Sequence, residues 1–126
     1  MGRSVIQNVC DLDVYNLSYS LALEIFSLSK RFPKEETYSL TDQIRRSSRS
    51  VSGNIAEAFR KRKYPKSFVS KLSDSEGEAA ETQVWLDYAF KCNYIAEIQH
   101  TSLNEKYDHI IGMLVKMSLN PNHWSF

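Results

Sequence analysis

Glycine and proline are scarce here, four and three in 126 residues. So few turn-formers cannot supply the many tight connections of an all-β fold. They suit a few long helices joined by short loops. Cysteine is scarcer still. Cys10 and Cys92 stand far apart without metal-ligand spacing, which points to two reduced thiols rather than a disulfide or redox pair. Long apolar runs are also missing: the longest, residues 110–115, is interrupted by Gly112 and is far too short to cross a bilayer. The opening "MGRSVIQNVCDLDVY" has no apolar core of signal-peptide length, so a cytoplasmic location is expected and no membrane partner. There is no Gly-x-Ser-x-Gly elbow, no glycine-rich phosphate loop and no His-Glu-x-x-His. No catalytic residue and no cofactor are therefore expected.

What is present is ordinary in bulk and patterned in detail. A hydrophobic content of 42% and a charged content of 25% fit a globular chain, and residues 1–126 suffice for one domain with one unstapled core. The formal net charge of +1 conceals a split. Residues 43–73 carry nine basic side chains against Glu57 alone, whereas residues 74–108 carry eight acids against Lys91 and Lys106. Such a division either polarises the surface or pairs one helix with its neighbour.

Four segments show the 3.6-residue helical period. In the first, Leu12, Tyr15, Tyr19, Ala22, Phe26 and Ser29 form one stripe, and Val14, Leu17, Leu21, Ile25 and Leu28 form a second beside it. Pro33 ends that helix. The second starts at Ser39, with Asp42 as a capping-box variant. Leu40, Ile44, Ser48, Val51, Ile55, Ala58 and Phe59 make its inward face, and Gly53 in its middle suggests a close crossing or a kink. Pro65 opens the third helix, which presents Phe68, Val69, Leu72, Glu76, Ala79, Ala80, Gln83, Leu86 and Phe90, its small and polar centre implying close packing. Ile98, Leu103, Tyr107, Ile110, Ile111, Leu114 and Met117 line the fourth. The expectation is an all-α, antiparallel up-down-up-down four-helix bundle with helices near residues 12–31, 39–63, 65–92 and 96–118.

The stretch "FPKEETYSLTDQIRRSSRSVSGNIAEAF" resembles the signature of the bacterial four-helix-bundle family named for 23S rRNA intervening-sequence proteins. That family has a Phe-Pro-x-Glu-Glu turn, a Leu-x-x-Gln-Ile-Arg-Arg helix and an Asn-Ile-Ala-Glu-Gly end. Phe32, Pro33, Glu35, Glu36, Leu40, Gln43, Ile44, Arg45, Arg46, Asn54, Ile55, Ala56 and Glu57 stand in those places. Ser52 and Ala58 replace the family's usual Pro and Gly, which should make this helix more regular. The resemblance implies a homopentameric barrel without enzymatic activity. In a related branch, the accessory variability proteins of diversity-generating retroelements, a basic barrel associates with nucleic acid and a reverse transcriptase.

The double stripe of the first helix points to self-association independently, since one bundle core needs an apolar arc of only about 100°. Leu17, Leu21, Ile25, Leu28 and Trp85 are the expected interface between copies. Metal binding is not expected, because Glu97-Ile98-Gln99-His100 is a single Glu-x-x-His match without a second. Arg45, Arg46 and Arg49 are expected to pair with Glu57, Glu76 or Glu81 across the second and third helices. Arg60, Lys61, Arg62, Lys63 and Lys66, with Tyr64 among them, form the candidate nucleic-acid contact: cations for phosphates and a ring for an unpaired base. The competing reading is an oligomeric adaptor for a protein partner, with the same lysines merely solvated. The near-neutral total charge favours that alternative.

Overall fold

The computed structural model describes residues 8–124. The expectation about a leader segment rests mainly on residues 1–7 and lies outside the described residues. After a 3₁₀ turn at Val9–Asp11 come α1 (Asp13–Ser29), a 3₁₀ turn at Lys34–Glu36, α2 (Leu40–Arg60), α3 (Pro65–Lys91), α4 (Glu97–Ser118) and a short α5 (Pro121–Trp124). All the described elements are helical. The long helices pack as a bundle: α2 lies most extensively on α3, α3 on α4 and α1 on α2, and a sparser α1–α4 contact closes the cycle. The short α5 is an addition to the four expected helices. It sets Trp124 against Phe68, with ring centroids 6.3 Å apart.

The inward face of α2 follows the pattern read from the sequence: Leu40, Ile44, Ser48, Val51, Ile55, Ala58 and Phe59 are all buried. Ser47, Ser48 and Ser52 extend that face, and α3 meets it with Ser75, Ala79 and Thr82. The hydroxyls are satisfied locally. Ser75 Oγ donates to the Val51 carbonyl at 2.8 Å, and Thr82 Oγ1 lies 2.8 Å from Ser47 Oγ. Small side chains let the two axes approach, and hydrogen bonding offsets the cost of burying their oxygens.

Several expectations are corrected. The buried seam of α1 is Val14, Leu21 and Ile25 from one stripe, Ala22 and Ser29 from the other, and Ser18 from neither, while Tyr19 is exposed. Leu21 and Ile25, expected between copies, are 2% and 1% exposed and belong to the chain's own core. They have no surface left to give a partner. Leu17, Leu28 and Trp85 are half-buried against that core. Ile98 is 78% exposed, so α4 begins its inward face at Leu103. Gly53 marks no crossing, because a Cβ built there meets nothing within 4 Å.

The start of α2 is held differently from the expected capping box. Ser39 makes no side-chain cap; its Oγ donates to Glu36 Oε1 at 2.6 Å, and the Leu40 amide donates to the same oxygen at 3.3 Å. At the far end of α3, Asn93 adopts a left-handed φ of 65°. The Tyr94 and Asn93 amides then donate to the Ala89 and Phe90 carbonyls at 2.8 and 3.0 Å, a Schellman closure. That closure directs Tyr94 back towards Glu36, whose Oε2 accepts from the Tyr94 hydroxyl at 2.9 Å.

Candidate nucleic-acid interface

Helix α2 ends among cations, which suit the partial negative charge of a helix C-terminus. The Lys61 amide donates to the Glu57 and Ala58 carbonyls at 3.1 and 3.0 Å, and the Tyr64 amide to the Lys61 carbonyl at 2.9 Å. Pro65, which lacks an amide hydrogen, occupies the first turn of α3 where none is needed. The link is therefore a tight turn, and it fixes its six candidate side chains on one corner of the bundle.

Their roles divide. Arg62 folds onto its own helix end: its guanidinium sits 3.7 Å from the Phe59 ring centroid, and its Nε donates to the Phe59 carbonyl at 2.9 Å. Partial burial pushes its pKa down, though an arginine stays charged at any working pH. Arg62 is thus part of the turn's structure. Arg60, Lys61, Lys63 and Lys66 are exposed, and among the described residues none of the four forms an ion pair. Tyr64 is 57% exposed, with Lys63 Nζ 5.4 Å from its ring centroid.

The remaining motif residues are dispersed along α2, and among the described residues the expected pairs of Arg45, Arg46 and Arg49 with carboxylates across α2 and α3 are not formed. Arg45 and Arg49 turn to α1 instead, stacking over Phe26 at 4.7 and 5.5 Å, and Arg45 Nε donates to Ser29 Oγ at 2.8 Å. Arg46 stays exposed and approaches Asp42 of its own helix at 3.9 Å. Glu57 reaches α3, but its partner is Lys71, at 3.0 Å. Lys71 also lies 3.5 Å from Asp74, and the two carboxylates, Glu57 first, hold its pKa up. Asn54 Nδ2 donates to the Ser50 carbonyl at 2.9 Å. Gln43 lines a groove with Trp85 and Tyr88 at the other end of α2.

Elsewhere the chemistry is sparse. Both cysteines are exposed and unbonded. No group of three or more His, Cys, Asp or Glu among the described residues is placed to hold a metal ion. Of the Glu97–His100 match, His100 instead contacts Asp87 of α3 at 2.6 Å and stacks on Phe90 at 4.9 Å. Among the described residues no helix is long and apolar enough to cross a membrane. Sequence reasoning missed two features here, the Glu36–Tyr94 bond and the aromatic groove beside it. The Phe-Pro-x-Glu-Glu turn was a visible signal for the first of them, without indicating its partner.

The described residues thus form an all-helical bundle with four exposed cations, Arg60, Lys61, Lys63 and Lys66, at the α2–α3 turn. The chain belongs to the 23S rRNA-intervening sequence protein family, whose model matches residues 10–116. It is similar to a solved structure from Bacteroides thetaiotaomicron, a protein of unknown function from the S23 ribosomal protein family. The two are 30% identical with a TM-score of 0.75, over 83% of this chain and 97% of that one. A comparison with curated proteins gives no match.

Proposed function

We propose that this chain is a non-enzymatic, cytoplasmic scaffold: an antiparallel up-down-up-down four-helix bundle that self-associates and binds nucleic acid without sequence specificity through the α2–α3 turn. One observation carries the reading. Arg60, Lys61, Lys63 and Lys66 are exposed on either side of Tyr64 in the chain, Lys63 lies near its exposed ring, and among the described residues none of the four has a carboxylate partner. Unpaired cations bind phosphates by releasing counterions, and an exposed ring stacks on an unpaired base. The resemblance implies a non-catalytic assembly of five copies. A ring repeats the turn around one rim, so weak contacts add through effective concentration. With Leu21 and Ile25 committed to the core, the apolar surface offered to another copy is Tyr19 and Leu23 on α1 with Val84 on α3, all at least 46% exposed.

The experiment is size-exclusion chromatography with light scattering, with and without a mixed pool of RNA and DNA oligonucleotides, at low and high salt. The expected result is an oligomer that carries oligonucleotide at low salt and sheds it at high salt. The affinity should fall with a log–log slope of roughly −3 for four phosphate contacts on a single strand. Converting Arg60, Lys61, Lys63 and Lys66 to Ala should abolish retention and preserve assembly. An oligomer that never shifts would discard the nucleic-acid role in favour of a protein partner, and a monomer would discard self-association.

A further inference from the structure

At the opposite end of α2 from the basic turn, a groove of about 400 Å³ is lined by Glu36, Tyr38, Ser39, Leu40, Gln43, Trp85, Tyr88 and Cys92. Its chemistry is one carboxylate among aromatic rings. Tyr38 is 95% exposed and Tyr88 56%, and Tyr88 lies 5.9 Å from Trp85 between ring centroids. Exposed aromatic faces beside a fixed negative charge attract cations, through the ring quadrupole and through direct Coulombic pairing. Among the described residues Glu36 is the only acidic or basic one in the lining, and it forms no ion pair with any of them. We propose that this groove binds an alkylammonium group.

The hydrogen bonds of Glu36 decide what kind of cation fits. A carboxylate offers about four acceptor sites. Oε1 already accepts from Ser39 Oγ at 2.6 Å and from the Leu40 amide at 3.3 Å, and Oε2 from Tyr94 at 2.9 Å. One site therefore remains, on Oε2. It accommodates a single N–H of a compact ammonium and not the two parallel N–H groups of a guanidinium fork. The same three donors hold Glu36 in its ionised form and fix its position before any ligand arrives. Lys34 and Lys91 lie nearby in sequence but do not line the groove, and Lys91 sits over Phe90 at 5.6 Å. The ammonium comes either from a lysine side chain on a polypeptide or from a free amine, and both present the same group to the site.

The test follows the indole N–H signal of Trp85 by NMR, assigned with a Trp124→Phe variant, during titration with n-butylammonium chloride against sodium chloride at equal concentration. The expected result is a saturable shift with the ammonium alone, weakened about tenfold by Tyr88→Ala and by Glu36→Gln. Because Glu36 also holds the start of α2, Tyr38→Ala and Tyr88→Ala, both at exposed positions, keep the test valid if Glu36→Gln does not fold. A lysine-containing tripeptide that binds at least tenfold tighter than butylammonium, with its norleucine counterpart silent, identifies a polypeptide source. Equal affinity identifies a free amine. A shift that never saturates, that sodium chloride reproduces, or that Tyr38→Ala and Tyr88→Ala leave unchanged overturns the proposal. The inference does not rest on the basic turn, whose loss leaves this groove intact.

Discussion

The Tyr94 hydroxyl donates to the Glu36 carboxylate at 2.9 Å across 58 positions of sequence, tying the α1–α2 connection to the α3–α4 turn. Phe32 reinforces the tie by packing on the Tyr94 ring at 5.5 Å. The two ionisations bracket its pH range. The hydrogen bonds from Ser39 and Tyr94 hold Glu36 below its ordinary value of 4.5, and the bond to Glu36 raises Tyr94 from 10.0 to about 12. A depressed carboxylate stabilises the fold above its unfolded pKa and loses that contribution as pH falls through the folded one. A raised phenol contributes fully below its unfolded pKa and loses it as pH climbs to the folded value. Tyr94→Phe should therefore lower the melting temperature most between about pH 5 and pH 10. The gap to the parent protein should narrow beyond either limit, and a gap that is flat from pH 3 to pH 12 would remove the bond from the account.

Burial of Leu21 and Ile25 changes what substitutions there report. Leu21→Ala should cost about 2–5 kcal/mol in urea denaturation, as for other large-to-small core changes. Leu21→Glu should unfold the chain rather than release intact subunits, because it buries an unpaired charge. Leu23, 56% exposed on the same helix, is the position where glutamate tests association cleanly. Circular dichroism beside light scattering separates the two effects.

Tyr107 is fully buried, and its hydroxyl has no hydrogen-bond partner among the described residues. Burial pushes its pKa well above the ordinary phenol value. An orphaned buried donor costs its desolvation without return. Tyr107→Phe should therefore raise unfolding stability by about 1 kcal/mol, measured by urea titration. A loss of stability would show that the hydroxyl has an acceptor after all.

Gly53 lies in the exposed middle of α2 with open space where a Cβ would stand. Gly53→Ala should stabilise the folded chain by about 0.5–1 kcal/mol, through helix propensity alone. The denaturant midpoint should rise while the slope stays constant.

How much of this was legible in the sequence depended on how local each cause was. The α2 face could be read residue by residue because its polar side is dense with charge, so only one arc remained for the core. In α1 both stripes are apolar, and the choice of seam falls to Ser18 and Ser29, whose hydroxyls return to the carbonyls of Tyr15 and Phe26 and so tolerate burial. Nothing in a stripe pattern ranks a serine above a tyrosine for the interior. The arginines were misassigned because charge complementarity favoured carboxylates, whereas Arg45 and Arg49 found the face of Phe26 on α1. The basic turn itself was visible as a run of letters. That Arg62 turns back onto Phe59 while its neighbours face solvent needs the helix end in three dimensions.

The unequal packing of the four long helices has a kinetic consequence. With α2 and α3 joined along a hydroxyl-lined spine and α1 meeting α4 only sparsely, the molecule resembles a book whose covers touch along their free edge. Local unfolding of α1 would leave the spine bound, so its amide protons should exchange with solvent before those of α2 and α3. The basic turn joins the two helices of the spine. It would keep its shape through such openings, and a ligand held there would stay bound while the far side of the molecule breathes.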